Sequence, residues 1–165
     1  MTYRLRRATP DDLGAIMALE RASFPLDAWS EQSMSDEISG PHGHYLVAET
    51  LEEPPRFVGY AGLRSPRGSS EADVQTIAVA PEARRHGLGR ALVLALLAEA
   101  RRRGAREVFL EVRVDNEPAA TLYRSLGFEE IAIRPRYYQP EGIDALIMRR
   151  TDVEPRTVPA VGVDA

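Results

Sequence analysis

A chain of 165 residues, 44% hydrophobic and 28% charged, holds enough material for one globular domain with a sizeable core. Its formal net charge of −4 names no partner, and basic residues scattered or placed at helix ends argue against direct nucleic-acid binding. The absence of cysteine excludes disulfides, zinc-thiolate centres and a cysteine nucleophile.

Residues Tyr3 to Ala8 alternate apolar and basic, which predicts a first strand. Thr9-Pro10-Asp11-Asp12 then carries a helix-start signal: a cap, a proline at the first helical position and acids in the first turn. Leu13, Ile16 and Met17 mark an amphipathic helix to about Ser23. Phe24-Pro25-Leu26-Asp27-Ala28-Trp29-Ser30 breaks it, and Ser30 caps a second short helix through Ile38. Phe24 and Trp29 suit either a core cover or a substrate-facing loop. Met1 to Arg7 lacks the apolar run of a signal peptide, and no segment approaches the roughly 18 apolar residues of a membrane span. A cytoplasmic location away from membranes is therefore expected.

Tyr45 to Glu49 and Phe57 to Leu63 read as a hairpin of two strands. His42 and His44 are not spaced against other ligands, so no metal site is expected. Val74 to Val79 reads as a short buried strand that Pro81 stops. A long helix starting near Gly89 carries Leu88, Leu92, Ala95 and Leu96 on one stripe, with Gly104 after its last turn. Arg101, Arg102 and Arg103 suit the negative end of its dipole. Arg106 to Val114 reads as the next strand, with Val108, Leu110, Val112 and Val114 on one face and Phe109, Glu111 and Arg113 on the other. Asn116 can cap a helix bearing Leu122, Tyr123 and Leu126 and ending at Gly127. Phe128 to Ile133 and Ile143 to Met148 close the fold, joined by a loop from Arg136 to Gly142. Residues 151–165 read as a disordered tail to a single domain over residues 1–150.

Between the central strand and the long helix lies Arg84-Arg85-His86-Gly87-Leu88-Gly89. Gly87 and Gly89 let the backbone approach a ligand, and the helix's first turn adds unpaired N–H groups and a partial positive charge. This suits phosphate oxygens; a tight turn that binds nothing is the other reading. No Gly-Lys-Ser/Thr follows, so it is not a Walker loop, and Arg90-Ala91-Leu92 stands where a dinucleotide fingerprint wants its third glycine.

Arg84-x-x-Gly87-x-Gly89 after Ile77-Ala78-Val79 resembles the acetyl-CoA motif of the GNAT N-acetyltransferases, and the element order matches that superfamily over residues 3–149. The resemblance implies a three-layer α/β/α fold with a mixed, mostly antiparallel sheet and one splayed parallel pair, a bulge in the strand before the loop parting it from its neighbour. It implies that Ile77, Ala78 and Val79 line pantetheine and that Arg84, Arg85, His86, Gly87, Leu88, Gly89 and Arg90 cradle the phosphates of acetyl-CoA.

Acetyl transfer to an amine requires a base for the ammonium, donors for the oxyanion and a proton for the leaving thiolate. Read from pattern alone, Glu111 is either a solvated or paired carboxylate or a base, and Tyr123 is either core or a proton donor. The blocks Leu110-Glu111-Val112-Arg113-x-x-Asn116, Leu122-Tyr123-x-Ser125-Leu126-Gly127-Phe128, Tyr137-Tyr138 and Asp144-Ala145-x-x-Met148 resemble the bacterial ribosomal-protein-alanine (Rim-type) N-acetyltransferases. That resemblance implies Glu111 as general base, Tyr123 as proton donor, Asn116 on the cofactor, and Tyr137 and Tyr138 over an acceptor peptide whose wall includes Trp29. It implies an N-terminal alanine of a small-subunit ribosomal protein as acceptor. The stretched Phe24 to Ser30 segment and Gln75-Thr76 depart from the subfamily pattern. A small amine (polyamine, amino acid or antibiotic) as acceptor, or acetyl-CoA binding without turnover, are the competing readings.

Overall fold

The computed structural model describes residues 2–152; the tail expected over 151–165 therefore lies, beyond Asp152, outside the described residues. Seven strands form one sheet: β1 Tyr3–Arg7, β2 Gly43–Thr50, β3 Phe57–Arg64, β4 Glu71–Val79, β5 Glu107–Arg113, β6 Glu129–Tyr138 and β7 Ile143–Thr151. Their order is β1-β2-β3-β4-β5-β7-β6, and every neighbouring pair is antiparallel except β4–β5. Helices α1 (Leu13–Ser23) and α2 (Glu31–Ser39) cover one face, and α3 (Leu88–Arg102) and α4 (Glu117–Ser125) cover the other. The expected three-layer mixed sheet with one parallel pair is borne out. No described helix is long and apolar enough to cross a membrane.

Local signals set the helix ends. Ser30 Oγ accepts from the Ser33 N–H at 3.1 Å, and Asn116 Oδ1 accepts from the Ala119 N–H at 3.3 Å. Pro10–Asp12 forms a 3₁₀ turn ahead of α1, with the Thr9 N–H held by the Asp12 carboxylate at 2.8 Å. Helix α3 begins without a side-chain cap, at Gly87 with φ 74°. Its stripe of Leu88, Leu92, Val93, Leu96 and Leu97 is buried in the larger core. A fully buried leucine contributes about 1.5–3 kcal/mol and a cap about 1, so packing rather than capping holds α3.

The triplet Arg101, Arg102 and Arg103 does not crowd the helix end uniformly. Arg103 turns inward and is 5% exposed. Its Nε meets Glu99 Oε1 at 3.0 Å, and its Nη atoms donate to the carbonyls of Ser65 (3.1 Å), His42 (3.3 Å) and Gly43 (3.4 Å). One guanidinium thus fastens the end of α3 to the start of β2 and the end of β3, while Arg102 stays in solvent.

The strand at the centre is longer than its pattern suggests, and it carries the bulge that the resemblance implies. It begins at Glu71, and its pairing with β3 steps from Thr76↔Gly62 to Val74↔Leu63, so Gln75 is the extra residue of a bulge. Ala72 and Val74 face the α3 side, whereas Ala78 packs on the α1–α2 side. A bulge is what allows one strand to reverse its faces in this way. A phenol supports it. Tyr45 lies over Gly62 and donates to Gln75 Oε1 at 2.8 Å. A Cβ on Gly62 would come within 2.2 Å of the Tyr45 ring, which is buried and has nowhere to go. Gly62→Ala is expected to cost about 1–3 kcal/mol in urea unfolding; an unchanged midpoint would remove Tyr45 as the support of the bulge.

Candidate active site

Beyond the bulge, β4 has no partner on its other side. The parallel pairing with β5 covers only Glu71↔Glu107, Ala72↔Val108 and Asp73↔Phe109. From there the strands part and leave a gap. The Ala80 N–H donates to the Val58 carbonyl at 2.8 Å, so by antiparallel alternation Ala78 also faces β3. Ile77 and Val79 then aim their backbone groups into the gap, where Arg84 Nε meets the Val79 carbonyl at 3.1 Å.

The chain leaves the gap through a 3₁₀ turn, Pro81–Ala83, and enters the loop before α3. Arg85 and Gly87 both adopt positive φ, 65° and 74°. For arginine this conformation costs of order 1 kcal/mol and is typical of loops shaped for a ligand. No protein atom lies within 4 Å of a Cβ built on Gly87, and one on Gly89 would meet only Leu122 Cδ2, at 3.5 Å. The space over the loop is therefore open backbone at a helix N-terminus, flanked by the exposed guanidinium groups of Arg84, Arg85 and Arg90 and by exposed His86. Leu88, the first residue of α3, is buried and anchors the loop to the core. Arg90 Nη1 donates to Ser125 Oγ at 3.2 Å, which ties α3 to α4. A donor set of backbone N–H groups and arginines fits a pyrophosphate, and an unpaired strand edge fits an amide-bearing arm.

On the α1–α2 face, a cleft of about 640 Å³ opens beside the same gap. Glu111, Trp29, Tyr137 and Tyr138, each singled out from sequence, all line it. Glu111 stands on the polar face of β5, as the alternation predicts, but pairs with neither Arg113 nor Arg85. Its Oε1 lies 3.3 Å from Arg134 Nη1, and the Tyr137 hydroxyl hydrogen-bonds to it. That bond, more than burial, raises the pKa of Tyr137.

Tyr137 and Tyr138 are not in a loop. Strand β6 runs through both, with its irregular stretch between Arg134 and Tyr138, and only residues 139–142 connect to β7. The two rings meet edge to face at 5.0 Å. Arg134 sits 5.7 Å from the Tyr137 ring and Arg113 5.4 Å from the Tyr138 ring. Arg113 also contacts Asp115 (3.1 Å), Glu141 (2.5 Å) and Asp27 (4.0 Å). It thereby links the segment before α2 to the β6–β7 turn.

Several lining groups were not singled out from sequence, Asp73 and Gln75 on β4 among them. Asp73 faces the cleft, and burial, then the charges of Glu71 and Glu111, raises its pKa. Gln75 lies beside it on the bulge. The signal was present: Glu71, Asp73 and Gln75 alternate with Ala72 and Val74, and starting the strand at Val74 hid it.

Tyr123 and Asn116 do not line this cleft. Tyr123 is 6% exposed in the core on the α3–α4 side, edge-on to Phe128 at 5.8 Å. Burial pushes its phenol up to about 12, so it keeps its proton at neutral pH. The Oδ1 of Asn116 is engaged as the cap of α4. Among the described residues, no group of three or more His, Cys, Asp or Glu side chains is placed to hold a metal ion.

Comparison with known proteins agrees with this arrangement. A Mycobacterium tuberculosis protein, N-alpha-acetyltransferase RimI, is 41% identical over 133 residues, 78% of this chain and 79% of that protein. A Mycobacterium leprae protein of uncharacterised role is also 41% identical, over 145 residues; they make up 86% of this chain and 39% of that longer protein. The crystal structure of the ribosomal-protein-S18-alanine N-acetyltransferase from Escherichia coli matches with a TM-score of 0.79 at 29% identity, covering 95% of this chain and 99% of that one. The family model for Acetyltransferase (GNAT) family matches residues 13–128, the stretch from α1 through the phosphate-binding-type loop to the end of α4. On that match and those relatives, the chain belongs to the GNAT acetyltransferase family.

Proposed function

We propose that this protein transfers the acetyl group of acetyl-CoA to the α-amine of a protein N-terminus, the N-terminal alanine of a small-subunit ribosomal protein being the acceptor. The observation that carries this reading is the position of Glu111. Its carboxylate lines a cleft on one sheet face, beside the gap that leads to the Gly87–Gly89 loop. The names of the relatives support the acceptor class. A ribosomal acceptor implies a cytoplasmic protein, and residues 1–150 would act as the one catalytic domain.

Acetyl-CoA, when bound, supplies the acyl thioester. Ile77 and Val79 would hold its pantetheine arm through the backbone, with Ala78 between them in the same strand, and Arg84, Arg85, His86, Gly87, Leu88, Gly89 and Arg90 would hold its phosphates, with Asn116 beside it. Trp29, Tyr137 and Tyr138 orient the acceptor chain. An α-amine with a pKa of about 7.7–8.0 arrives mostly protonated, and Glu111 takes that proton, directly or through water. The nitrogen lone pair then forms the C–N bond as the carbon–sulfur bond breaks, and the nitrogen sheds its second proton to water to leave a neutral amide. Tyr123 reaches neutral pH with its proton in place and gives it to the departing sulfur.

The experiment is release of coenzyme A with a peptide beginning at a free alanine. The control peptide has its α-amine blocked and a lysine left free. Turnover confined to the free α-amine is expected. Turnover with both peptides, or with neither, would move the acceptor to the small-amine class, and a panel of polyamines, amino acids and aminoglycosides would follow.

A further inference from the structure

Glu20 takes no part in the chemistry above, yet it is the most deeply buried acid among the described residues, at 1% exposure in the last turns of α1. No cation pairs with it among the described residues. It is solvated instead by three donors from three different segments. The Tyr60 hydroxyl of β3 and the Thr76 hydroxyl of β4 (2.8 Å) both reach Oε2, and the backbone N–H of Trp29 reaches Oε1 at 3.2 Å. Burial raises its pKa, and those donors offset part of the rise.

The geography matters more than the charge. Thr76 is the residue next to the Gln75 bulge, where β4 turns from the cleft toward the gap. Trp29 belongs to the stretched connection between α1 and α2 and lines the cleft. One carboxylate therefore spans the strand that frames the gap and the segment that walls the cleft. That connection is otherwise held by the Asp27 N–H to the Phe24 carbonyl at 3.3 Å, by Asp27 to Arg113 at 4.0 Å, and by the packing of Phe24 and Trp29 on the smaller core. Of the polar ties among the described residues, the one to Glu20 is the one that reaches the Trp29 backbone.

We infer that Glu20 is a positioning residue, whose two oxygens hold the acceptor wall at Trp29 in register with the bulge of β4. The inference rests on the acceptor cleft of the proposed function, though not on which amine fills it. Glu20→Gln is the discriminating change. With its carbonyl oxygen toward Tyr60 and Thr76, the amide NH₂ faces the Trp29 N–H, donor against donor; with the amide flipped, Trp29 keeps its acceptor and the two hydroxyls lose theirs. Either way the charged bridge between wall and strand is broken on one side.

Trp29 is the single tryptophan of the chain, so its fluorescence reports the wall with no substrate present. In Glu20→Gln, acrylamide quenching of Trp29 should rise about twofold, and KM for the acceptor peptide should rise roughly tenfold, the size of one lost charged hydrogen bond, with KM for acetyl-CoA unchanged. Thr76→Val, which keeps the carboxylate and removes only its 2.8 Å donor, should give the same signature at roughly threefold in KM. It serves as the probe if Glu20→Gln does not fold. Unchanged quenching in the folded variant, or the two KM values rising together, overturns the inference. A wild-type enzyme that ignores α-amine peptides would sink the proposed acceptor, and the quenching comparison would still decide the role of Glu20.

Discussion

Replacing Glu111 by glutamine is expected to lower turnover by about 10²–10⁴-fold at neutral pH and to leave acetyl-CoA affinity unchanged. The amide keeps the shape of the side chain and can still accept from Tyr137, but it cannot take a proton from the acceptor. The cofactor loop lies at the start of α3, on an element Glu111 does not touch, so the dissociation constant should not move. The pH profile separates this role from that of an anchor for Arg134. If Glu111 serves to deprotonate the amine, the deficit narrows as pH climbs past the amine's own pKa, because more acceptor arrives neutral. If Glu111 merely holds Arg134, which it meets at 3.3 Å, then Arg134→Ala would reproduce the loss and the deficit would stay flat with pH. Rates measured from pH 6.5 to 9.5 on both variants decide between the two.

The second large effect is on stability. Arg103→Ala should destabilise the fold by about 3–5 kcal/mol, since it takes from Glu99 its buried partner, leaving only the exposed Arg102, and removes a buried donor from the carbonyls of Ser65, His42 and Gly43. Arg102 contacts the same carboxylate at 2.6 Å, but its side chain is 73% exposed, and Arg102→Ala should cost less than about 1 kcal/mol. Urea unfolding of the pair measures both, and equal losses would refute the buried clamp. The clamp also has a pH signature. Burial alone would raise the pKa of Glu99, but hydrogen bonds from Arg102 and Arg103 outweigh it and hold the group near about 2, against 4.5 in a free chain. The folded value is the lower one, so the unfolded chain binds the proton more readily. The stabilisation is therefore complete above pH 4.5 and is lost as pH falls toward 2. His44, whose pKa is lowered chiefly by burial, adds to the loss when it charges in acid.

Much of this was legible from local chemistry. Period-two alternation put Val108, Leu110 and Val112 inward and Glu111 outward, and β5 obeys it because nothing interrupts its ladder. Ser30, Asn116 and Gly127 marked helix ends because capping is settled within a few residues. The bulge was implied by the resemblance alone, and its position was not legible from the hydrophobic pattern. Alternation assumes one residue per step, and Gln75 breaks that rule through contacts with Tyr45, 30 positions away. Arg103 reads as a solvated helix end because the carbonyls it satisfies belong to residues 42, 43 and 65. Pro135, Pro140 and Gly142 made residues 136–142 look like a loop, yet Tyr137 and Tyr138 still close β6 against β7. The pairing of Glu111 with Arg134 depends on β6 and β7 arriving beside β5, which is tertiary information. The acceptor cleft was thus read one wall at a time, and Asp73, on the wall opposite Glu111, was the part missed.

The cations at the cleft, Arg113 and Arg134, have a chemical consequence of their own. All 21 basic side chains counted as Lys+Arg in this chain are arginine. A guanidinium stays protonated at any pH the protein survives and offers no lone pair to an activated acyl group, whereas a lysine at either position would present an ε-amine within reach of the reagent. On the proposed function, the chain carries no side-chain amine that its own acyl donor could modify. Its ion pairs around the cleft keep their charge however long the acyl donor is present.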